Sequence, residues 1–507
     1  MKKTLLALLV LLPILAFGQT KVAFADYLSL RDSIMGLDST LYFDREVDLN
    51  PKEAHLNRVL AAEQKTLLDH YKATHFFPPA RNFYQSKAHI EATKIFEVIR
   101  KMPKGGVLHL HQLAMSDADW VVDRALQIPE MHIYWGSPHP SFIKGQFHAY
   151  PIGDAPSGFF PVQEMERQYP AFADSIRQLI TFEEWIDRDS VDIWLHFEAV
   201  FQRIYRFVTY QTVFPDYLER GLALLAADHI QHVELRTPFT NWLYDLDHPQ
   251  GGLPIDEFVQ ILDTTLQRIR RIDPHFTFKI IHTNLRFRDN STIWADIQYT
   301  MGMRKRFPEW LKGYDLVAEE DNGQPTLFHA NTFLRMDSLE EAMGITLPLY
   351  LHDGESDWAS VANLYDAVLL GTQRIGHGFN LFRFPNLMEE VKKRAICVEI
   401  NPLSNQILGY LRDLRIHPGS TYLRRGLDCV ISSDDPLIFD YQGLSYDFWS
   451  VYMAWELDLA ALKQLSKNSL LHAVLSDEEK AKALSVWEER WQQFVEEALA
   501  LLENKGN

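Results

Sequence analysis

Eight short β-rich runs, separated by stretches with helical patterns, limit the folds open to this chain of 507 residues. Strands that alternate with helices predict βα units and a parallel sheet, and eight such units predict a closed barrel. The expected fold is therefore α/β, a (β/α)8 TIM barrel. The runs are Val107–His111, His232–Leu235, Thr277–His282, Asp315–Val317, Pro348–His352, Arg374–Gly376, Ile396–Ile400 and Cys429–Ser433.

Polar side chains lie at or just after the end of every run. The strands of such a barrel end at one face, and chemistry on this fold is found there. We therefore expect one active site built from these residues. They are His109 and His111, Glu234 and Arg236, His282, Glu319 and Glu320, His352 and Glu355, His377, Asn401, and Asp434 and Asp435.

The chain is longer than the barrel alone requires, since a barrel of this type takes about 250 residues. Residues 19–100 are predicted to form an N-terminal helical extension, and residues 101–507 the barrel. The gap after the first run is too long for one connection. Within it, Ile128–Gly158 is rich in Pro, Gly, His and aromatic residues, which predicts an inserted subdomain at about 120–186.

Three longer helices are predicted outside the repeating units. Two belong to the extension, over Ala54–Tyr71 and Gln85–Arg100, where apolar residues recur three and four positions apart. The third covers Asp477–Leu502 and has Trp487 and Trp491 on one side. We expect this last helix to close the fold.

The first residues predict export. Lys2 and Lys3 precede an apolar stretch, Leu5–Phe17, and Gly18 is a small residue of the kind found at cleavage sites, so residues 1–18 are predicted to be a signal peptide. The apolar stretch is shorter than the ~20 residues that cross a bilayer. We therefore expect a secreted or periplasmic protein with no membrane span in the mature chain.

Charge and cysteine content argue against two kinds of site. A formal net charge of −18 would repel a nucleic acid, whereas a small neutral substrate is compatible with it. The two cysteines, Cys397 and Cys429, have no metal-ligand spacing. They could form a disulfide in an oxidising compartment, but we favour two buried thiols in neighbouring strands.

Four of the strand-end residues predict a metal site. His109 and His111 are two apart on a strand, so both imidazoles point to one face. Such a pair is often only structural, but His352 and one of the adjacent Asp434 and Asp435 follow two other strands and complete a set of nitrogen and oxygen ligands. A set without thiolate suits Zn²⁺, one per chain, with a position open for water.

Three further residues are predicted to act beside that metal. Gly354 permits a sharp turn that swings Glu355 back over the site, and a carboxyl group next to a metal is a natural proton carrier. His377 lies between two glycines just after a strand. Asp434 and Asp435 face opposite ways, so one can bind metal while the other contacts substrate. This layout is typical of metal-assisted hydrolysis.

The same residues lie in longer motifs that resemble the adenosine deaminase family, and most closely its secreted subgroup, the adenosine deaminase-related growth factors. The motifs occur in the family's order along the chain. They are MPKGGVLHLH (102–111), HDGESDW (352–358), RIGHGF (374–379), EINPLSNQILGYLRDLRIHP (399–418) and VISSDDPLIFDYQGLSYDF (430–448).

The resemblance implies hydrolytic removal of the amine from an adenosine-like nucleoside, a reaction at a C–N bond of a cyclic amidine. It makes His109, His111, His352 and Asp434 the zinc ligands. It also makes Glu355 the proton donor to the purine ring and His377 the residue that orients and helps deprotonate water. By the same resemblance Asp435 binds the five-membered ring, the backbone of Ala318 contacts the purine and Trp194 lies near the substrate. It also implies a homodimer formed through the N-terminal helices.

Departures from the family pattern leave the exact nucleoside open. Gln112 stands where the family commonly has an aspartate that meets the ribose, and Asp353 stands where a small residue is usual. Two other functions remain as alternatives. One is a different metal-dependent amidohydrolase, although Lys279 is the sole inward lysine on the predicted strands and its neighbours do not suggest a second metal. The other is a non-catalytic extracellular binding protein, which predicts the loss of a ligand or proton carrier.

Overall fold

A computed structural model describes residues 23–182 and 192–503, so the predicted signal peptide 1–18 lies outside the described residues. Eleven strands occur in this part of the chain, eight of them in the barrel. They are β1 Gly105–His111, β2 Met131–Tyr134, β3 Phe147–Ala149, β4 Phe159–Pro161, β5 Ile230–Thr237, β6 Thr277–Leu285, β7 Leu311–Val317, β8 His352–Asp353, β9 Arg374–His377, β10 Cys397–Ile400 and β11 Cys429–Ile431.

The eight barrel strands form two parallel sheets, in the orders β1-β5-β6-β7 and β8-β9-β10-β11. Two parallel bridges join the sheets, Tyr314 with Leu349 on one side and Leu110 with Asp434 on the other. At the second junction the His111 amide donates to the Asp434 carbonyl at 3.1 Å, and the Asp434 amide donates to the His109 carbonyl at 3.2 Å. The predicted (β/α)8 barrel is confirmed.

The fifth barrel strand is more irregular than its sequence predicts. We expected a strand over Pro348–His352, but regular pairing is confined to β8, at His352–Asp353. Pro348 has no N–H and can only accept, which it does from the Tyr314 amide at 2.9 Å. The Tyr350 amide donates back to the Tyr314 carbonyl at 2.9 Å, so the segment stays attached to β7.

Helices fill the connections and the outside of the barrel. They are α1 Phe24–Ser39, α2 Pro51–Thr74, α3 Phe83–Glu91, α4 Lys94–Lys101, α5 Ala118–Gln127, α6 Val162–Gln168, α7 Phe172–Ile180, α8 Ile193–Val208, α9 Phe214–Ala227, α10 Ile255–Ile269, α11 Asn290–Arg306, α12 Thr326–Leu334, α13 Met336–Met343, α14 Asn363–Leu369, α15 Pro385–Lys393, α16 Pro402–Ile407, α17 Gly419–Arg425, α18 Ser445–Ala454, α19 Leu459–Leu471 and α20 Asp477–Glu503.

The helix expected over Gln85–Arg100 is two helices, α3 and α4. The break is at Thr93, whose side chain accepts from the Phe96 amide at 3.1 Å and so caps the start of α4. A threonine in this role favours a new helix over a continued one. The helix predicted over Ala54–Tyr71 is present as α2, which begins in a capping box at Asn50.

A small antiparallel sheet lies between β1 and β5. Strand β2 is its centre and pairs with β3 on one side and β4 on the other. Buried residues of β2 and β3, among them Met131, Ile133 and Phe147, join the main core, and β3 packs against α8. The sheet falls inside the proposed insertion, whose proposed end at 186 lies outside the described residues.

The chain's last long helix packs against the amino end of the barrel. In α20, Trp487 and Trp491 are fully buried, and the Trp487 indole donates to the Ser466 hydroxyl at 2.7 Å. Cys397 and Cys429 are buried, unpaired thiols on the neighbouring strands β10 and β11, as the sequence favours. Within residues 23–182 and 192–503, no helix combines the length and apolar character needed to cross a bilayer.

Candidate active site

Four side chains converge at the carboxyl end of the barrel. His109, His111, His352 and Asp434 each offer one ligand atom, and these atoms all lie within 4.8 Å of one another. The His111 Nε2 is 3.2 Å from the His352 Nε2. One oxygen, Asp434 Oδ1, is 3.3 Å from the Nε2 of both His109 and His111. The structure thus brings together the four predicted metal ligands.

Backbone geometry explains why these residues meet. His109 and His111 are two apart on β1, whose end pairs with the segment holding Asp434. Asp434 has a φ of 62°, His377 a φ of 63° and Ala318 a φ of 88°. Non-glycine residues in this left-handed region are uncommon and cost free energy, and they concentrate at functional sites.

Carboxylates on the Nδ1 side, away from the cluster, orient the imidazoles of two of these histidines. The His109 Nδ1 donates to Glu399 Oε2 at 2.8 Å, and the His352 Nδ1 donates to Asp315 Oδ2 at 2.5 Å. With the proton on Nδ1, each Nε2 keeps its lone pair. Burial and the neighbouring His109 hold the pKa of His352 well below its usual range, which keeps this imidazole neutral.

The converging atoms form a site for a cation. Neither His109 Nε2 nor Asp434 Oδ1, both buried, has a hydrogen-bond partner among the described residues. Imidazole lone pairs and a carboxylate oxygen that face one another repel without a cation between them. Nitrogen and oxygen ligands in this number suit Zn²⁺.

Two proton-transfer groups lie beside the cluster. Glu355 Oε1 is 3.5 Å from His377 Nδ1, and His377 Nε2 is 3.9 Å from Asp434 Oδ2. Gly354, with a φ of 84°, makes the predicted turn that returns Glu355 to the site. Burial, then Asp434 and Glu320, raise the pKa of Glu355 well above its usual range, and burial lowers the pKa of His377 to about 3. Burial therefore favours the protonated form of Glu355, and the His377 imidazole is neutral near pH 7.

A cavity of about 760 Å³ opens from this cluster. Asp435, Ala318 and Trp194 line it, as do Glu355 and His377. Burial, then the adjacent Asp434, raise the pKa of Asp435 well above its usual range, so its carboxyl group can donate a hydrogen bond.

Helix α8 forms one wall of the cavity. Its lining residues recur three and four positions apart, which places them on one helix face. They are Trp194, Phe197, Glu198, Phe201, Gln202, Tyr205 and Arg206. Ser141 and Gln146, from the segment between β2 and β3, also line the cavity, so the inserted sheet contributes to the site.

Two positions that depart from the family pattern lie outside the cavity lining. The side chain of Gln112 is buried, and its Oε1 accepts from the Thr237 hydroxyl at 3.5 Å. Asp353 is also buried. It accepts from the Thr326 hydroxyl at 2.6 Å and lies 3.3 Å from the Arg286 guanidinium. The larger residue at 353 is thus accommodated by a cation and a hydroxyl behind the site.

Sequence reasoning did not assign a role to Asp315, Glu399 or Arg236, which lie behind the metal ligands. Arg236 donates to Asp315 and to Glu399, at 2.7 Å each. A charged residue inside an apolar strand, such as Glu399 between Val398 and Ile400, is the pattern that could have indicated them. A buried charge is costly unless it is paired.

Comparison with known proteins decides the family. The family model for adenosine deaminase matches residues 182–489. Adenosine deaminase 2 from Dictyostelium discoideum is 32% identical over 483 residues, which cover 93% of this chain and 87% of that protein. Adenosine deaminase 2 from Homo sapiens is 32% identical over 488 residues, with 92% of each chain covered.

The chain belongs to the adenosine deaminase family. It is a hydrolase acting on C–N bonds of cyclic amidines, and its chemistry is purine deamination by a metal-dependent amidohydrolase. Lys279, considered for a second metal, instead donates to the Glu309 carbonyl at 2.9 Å and lies 3.3 Å from Glu479.

Solved structures of other proteins share the fold. An adenine deaminase from Arthrobacter aurescens superposes with a TM-score of 0.54 at 18% identity, covering 77% of this chain and 99% of that one. Arabidopsis ADAL, complexed with IMP, superposes with a TM-score of 0.57 at 14% identity, covering 78% and 99%. An amidohydrolase from Burkholderia ambifaria with bound Zn gives 0.53 at 16% identity, covering 80% and 94%.

Proposed function

We propose that this protein is a zinc-dependent deaminase of adenosine and 2′-deoxyadenosine-like nucleosides, which yields inosine-type products and ammonia. The observation that supports the proposal is the convergence of His109, His111, His352 and Asp434 within 4.8 Å, next to Glu355 and His377. A non-catalytic binding protein would not need this complete set.

The proposed cofactor is one zinc ion per chain, held by the three imidazoles and Asp434. Zinc in such a site lowers the pKa of a bound water toward about 7 and so makes hydroxide available. The protein's contribution is a buried set of oriented lone pairs in a cavity whose other walls exclude bulk water.

Three side chains act on the substrate in the proposed reaction. Glu355, protonated because burial raises its pKa, donates to the ring nitrogen next to the amine-bearing carbon. His377, neutral because burial lowers its pKa to about 3, accepts a proton from the attacking water. Asp435 donates to a nitrogen of the five-membered ring. The backbone of Ala318 and the indole of Trp194 are proposed to bound the purine.

The proposal extends to where and how the protein works. Residues 1–18 are proposed to direct export to the periplasm or the outside of the cell. Residues 19–100 are proposed to support a homodimer, and the insertion at about 120–186 to cover the mouth of the cavity. Neither nucleic acid nor membrane is a proposed partner.

The experiment that tests the function is an absorbance assay with adenosine, 2′-deoxyadenosine and adenine, each run with and without a chelator. We expect turnover of a nucleoside, loss of activity on chelation and recovery with zinc. Glu355→Gln should lower kcat by about 10²–10⁴-fold, the range expected for a lost general acid, with metal content unchanged.

Turnover of adenine alone would refute the nucleoside assignment, because the sugar would then have no place in recognition. Activity that survives complete metal removal would refute the metal-dependent mechanism. If a metal is bound but none of the three compounds reacts, the substrate is another amine or amide of the amidohydrolase class.

A further inference from the structure

Arg236, on β5, lies behind the metal ligands and has no part in the reaction proposed above. Its side chain is 2% exposed. Nε donates to Asp315 Oδ2 at 2.7 Å, Nη2 donates to Glu399 Oε2 at 2.7 Å, and Nη1 donates to the Leu108 carbonyl at 2.6 Å. Every nitrogen of the guanidinium is therefore fixed by a buried acceptor.

The oxygens that Arg236 contacts are the same oxygens that orient two metal ligands. Glu399 Oε2 accepts from Arg236 and from the Nδ1 of His109, the latter at 2.8 Å. Asp315 Oδ2 accepts from Arg236 and from the Nδ1 of His352, the latter at 2.5 Å. One guanidinium thus connects a histidine of β1 with a histidine that begins β8.

We propose that Arg236 is a positioning residue that orients two of the four metal-binding side chains, His109 and His352, at the same time. The inference rests on the proposed function, since the metal is part of it. The guanidinium is planar and its donors have a fixed angular relation. Its plane therefore fixes both carboxylates, and each carboxylate fixes one imidazole with Nε2 toward the metal.

A purely structural role would be charge balance, because buried Asp315 and Glu399 need a cation nearby. Arg374 provides the matched comparison for that role. It is 1% exposed and donates to Glu399 Oε1, to Glu234 and to the His472 carbonyl. It belongs to the same network as Arg236, but its hydrogen bonds to carboxylates go to Glu234 and to the other oxygen of Glu399, not to the oxygen that holds His109.

The test compares Arg236→Lys with Arg374→Lys, since lysine keeps the charge and loses the planar set of donors. Metal-free protein is titrated with zinc chloride against a chromogenic chelator, and thermal unfolding is followed in parallel. We expect Arg236→Lys to weaken zinc binding about 10–100-fold, the range for lost outer partners of metal ligands. Arg374→Lys should lower the Tm but change the Kd by less than about threefold, below that range.

A Kd for Arg236→Lys within about threefold of the wild-type value would overturn the inference. Equal weakening in the two lysine variants would overturn it as well, because the network would then act only as a whole. Both results concern metal binding and do not depend on which purine is the substrate.

A second measurement holds even if Arg236→Lys fails to fold. Asp315→Asn and Glu399→Gln keep the size of each side chain, and zinc affinity is measured for each and for the double variant. If Arg236 links the two carboxylates, the fold-change in zinc affinity of the double variant should differ from the product of the two single fold-changes by about fivefold or more, as for residues in one network. A double-variant fold-change within about twofold of that product, as for independent sites, would overturn the inference.

The amount of zinc bound per wild-type chain distinguishes a failure of this inference from a failure of the proposed function. A wild-type chain that binds zinc but deaminates no purine would refute the function, while the variant comparison would still decide the role of Arg236. A wild-type chain that binds no metal would overturn both.

Discussion

Two buried carboxyl groups, those of Glu355 and Asp435, face the same cavity with pKa values raised by the same cause. Burial disfavours the charged form of each, and Asp434 adds repulsion in both cases. For each group this favours the protonated form, which can donate a hydrogen bond. One is proposed to give up its proton in the reaction, and the other to keep it and hold the substrate.

Asp435→Asn should retain most activity, because an amide still presents a donor to the purine. Asp435→Ala removes the donor and should lower kcat/KM by about 10–100-fold, the equivalent of about 1–3 kcal/mol for a lost buried partner. Steady-state kinetics with adenosine checks both variants. Equal losses in Asn and Ala would show that the donated hydrogen bond is not what Asp435 contributes.

The rate should fall as the pH rises, because the proposed mechanism needs protonated Glu355. Its folded-state pKa is raised, so the active form is complete below that pKa and is lost as pH rises through it. A profile of kcat/KM from about pH 5 to about pH 10 should show this alkaline limb. The alkaline limb should persist in Asp435→Asn, because this variant lacks the other carboxyl group whose titration could cause it. A rate that is flat to the alkaline end would exclude Glu355 as the acid.

The candidate site residues could be named from sequence, but the residues that support them could not. His109, His111 and His352 occur in strand-end motifs whose spacing indicates a shared face. Arg236 and Glu399 are separated along the chain, and only the closed barrel shows that their side chains meet. The alternation along a strand predicts to which face of the sheet a side chain points. It does not predict which side chain it meets across the barrel.

At the scale of elements, the close approach of neighbouring strands limits what β9 can carry. A Cβ added at Gly376 would lie 3.0 Å from His109 Cε1 and 3.2 Å from the His352 Cα. Both distances are shorter than ordinary contact, and the second involves backbone. The glycine before His377 thus lets β9 pass beside two metal ligands.

Gly376→Ala should therefore displace the ligand histidines and weaken zinc binding, at a cost in stability of about 1–3 kcal/mol for overpacking. Gly302→Ala is the control. It lies in α11 with nothing within 4 Å of an added Cβ, and should be stabilising by about 0.4–1 kcal/mol. Denaturant unfolding and zinc titration measure both. Unchanged zinc affinity in Gly376→Ala would show that the site relaxes around the methyl group.

The elements themselves were predictable to different degrees. Short β-rich runs that alternate with helical patterns gave the barrel strands, and the periodicity of Asp477–Leu502 gave α20. The inserted sheet was missed because no helix separates β2, β3 and β4, so these three- and four-residue strands lack the alternation that marks barrel strands of similar length. The break between α3 and α4 depends on the side chain of one threonine, and the helical spacing of apolar residues does not reveal such a break.

At the scale of the molecule, α1 has a surface that residues 23–182 and 192–503 do not cover. None of its residues is buried, and Leu30, Ile34 and Leu37 are 56%, 63% and 64% exposed. Their spacing puts them on one helix face. An apolar face of this kind on a monomer often marks an interface, which agrees with the proposed homodimer.

Replacing Leu30, Ile34 and Leu37 together by glutamate should convert a dimer into a monomer, because it would place charges in the proposed interface. Sedimentation velocity measures the change. Asp32→Ala, on the opposite face of α1, is the control and should leave the dimer intact. A wild-type monomer, or a dimer that survives the triple change, would exclude α1 as the interface.

The bonds that close the barrel run through the metal site, since the backbones of His109 and His111 pair with that of Asp434. These partners come from the first and last barrel strands. Nearly the whole barrel sequence therefore lies between them and is synthesised before they can meet. Contacts this distant in sequence form late in folding. Metal uptake would then report the completion of folding, and a chain exported in an unfolded state would leave the cytoplasm without its ion. The supply of zinc in the compartment where the barrel closes would set how much of the protein becomes active.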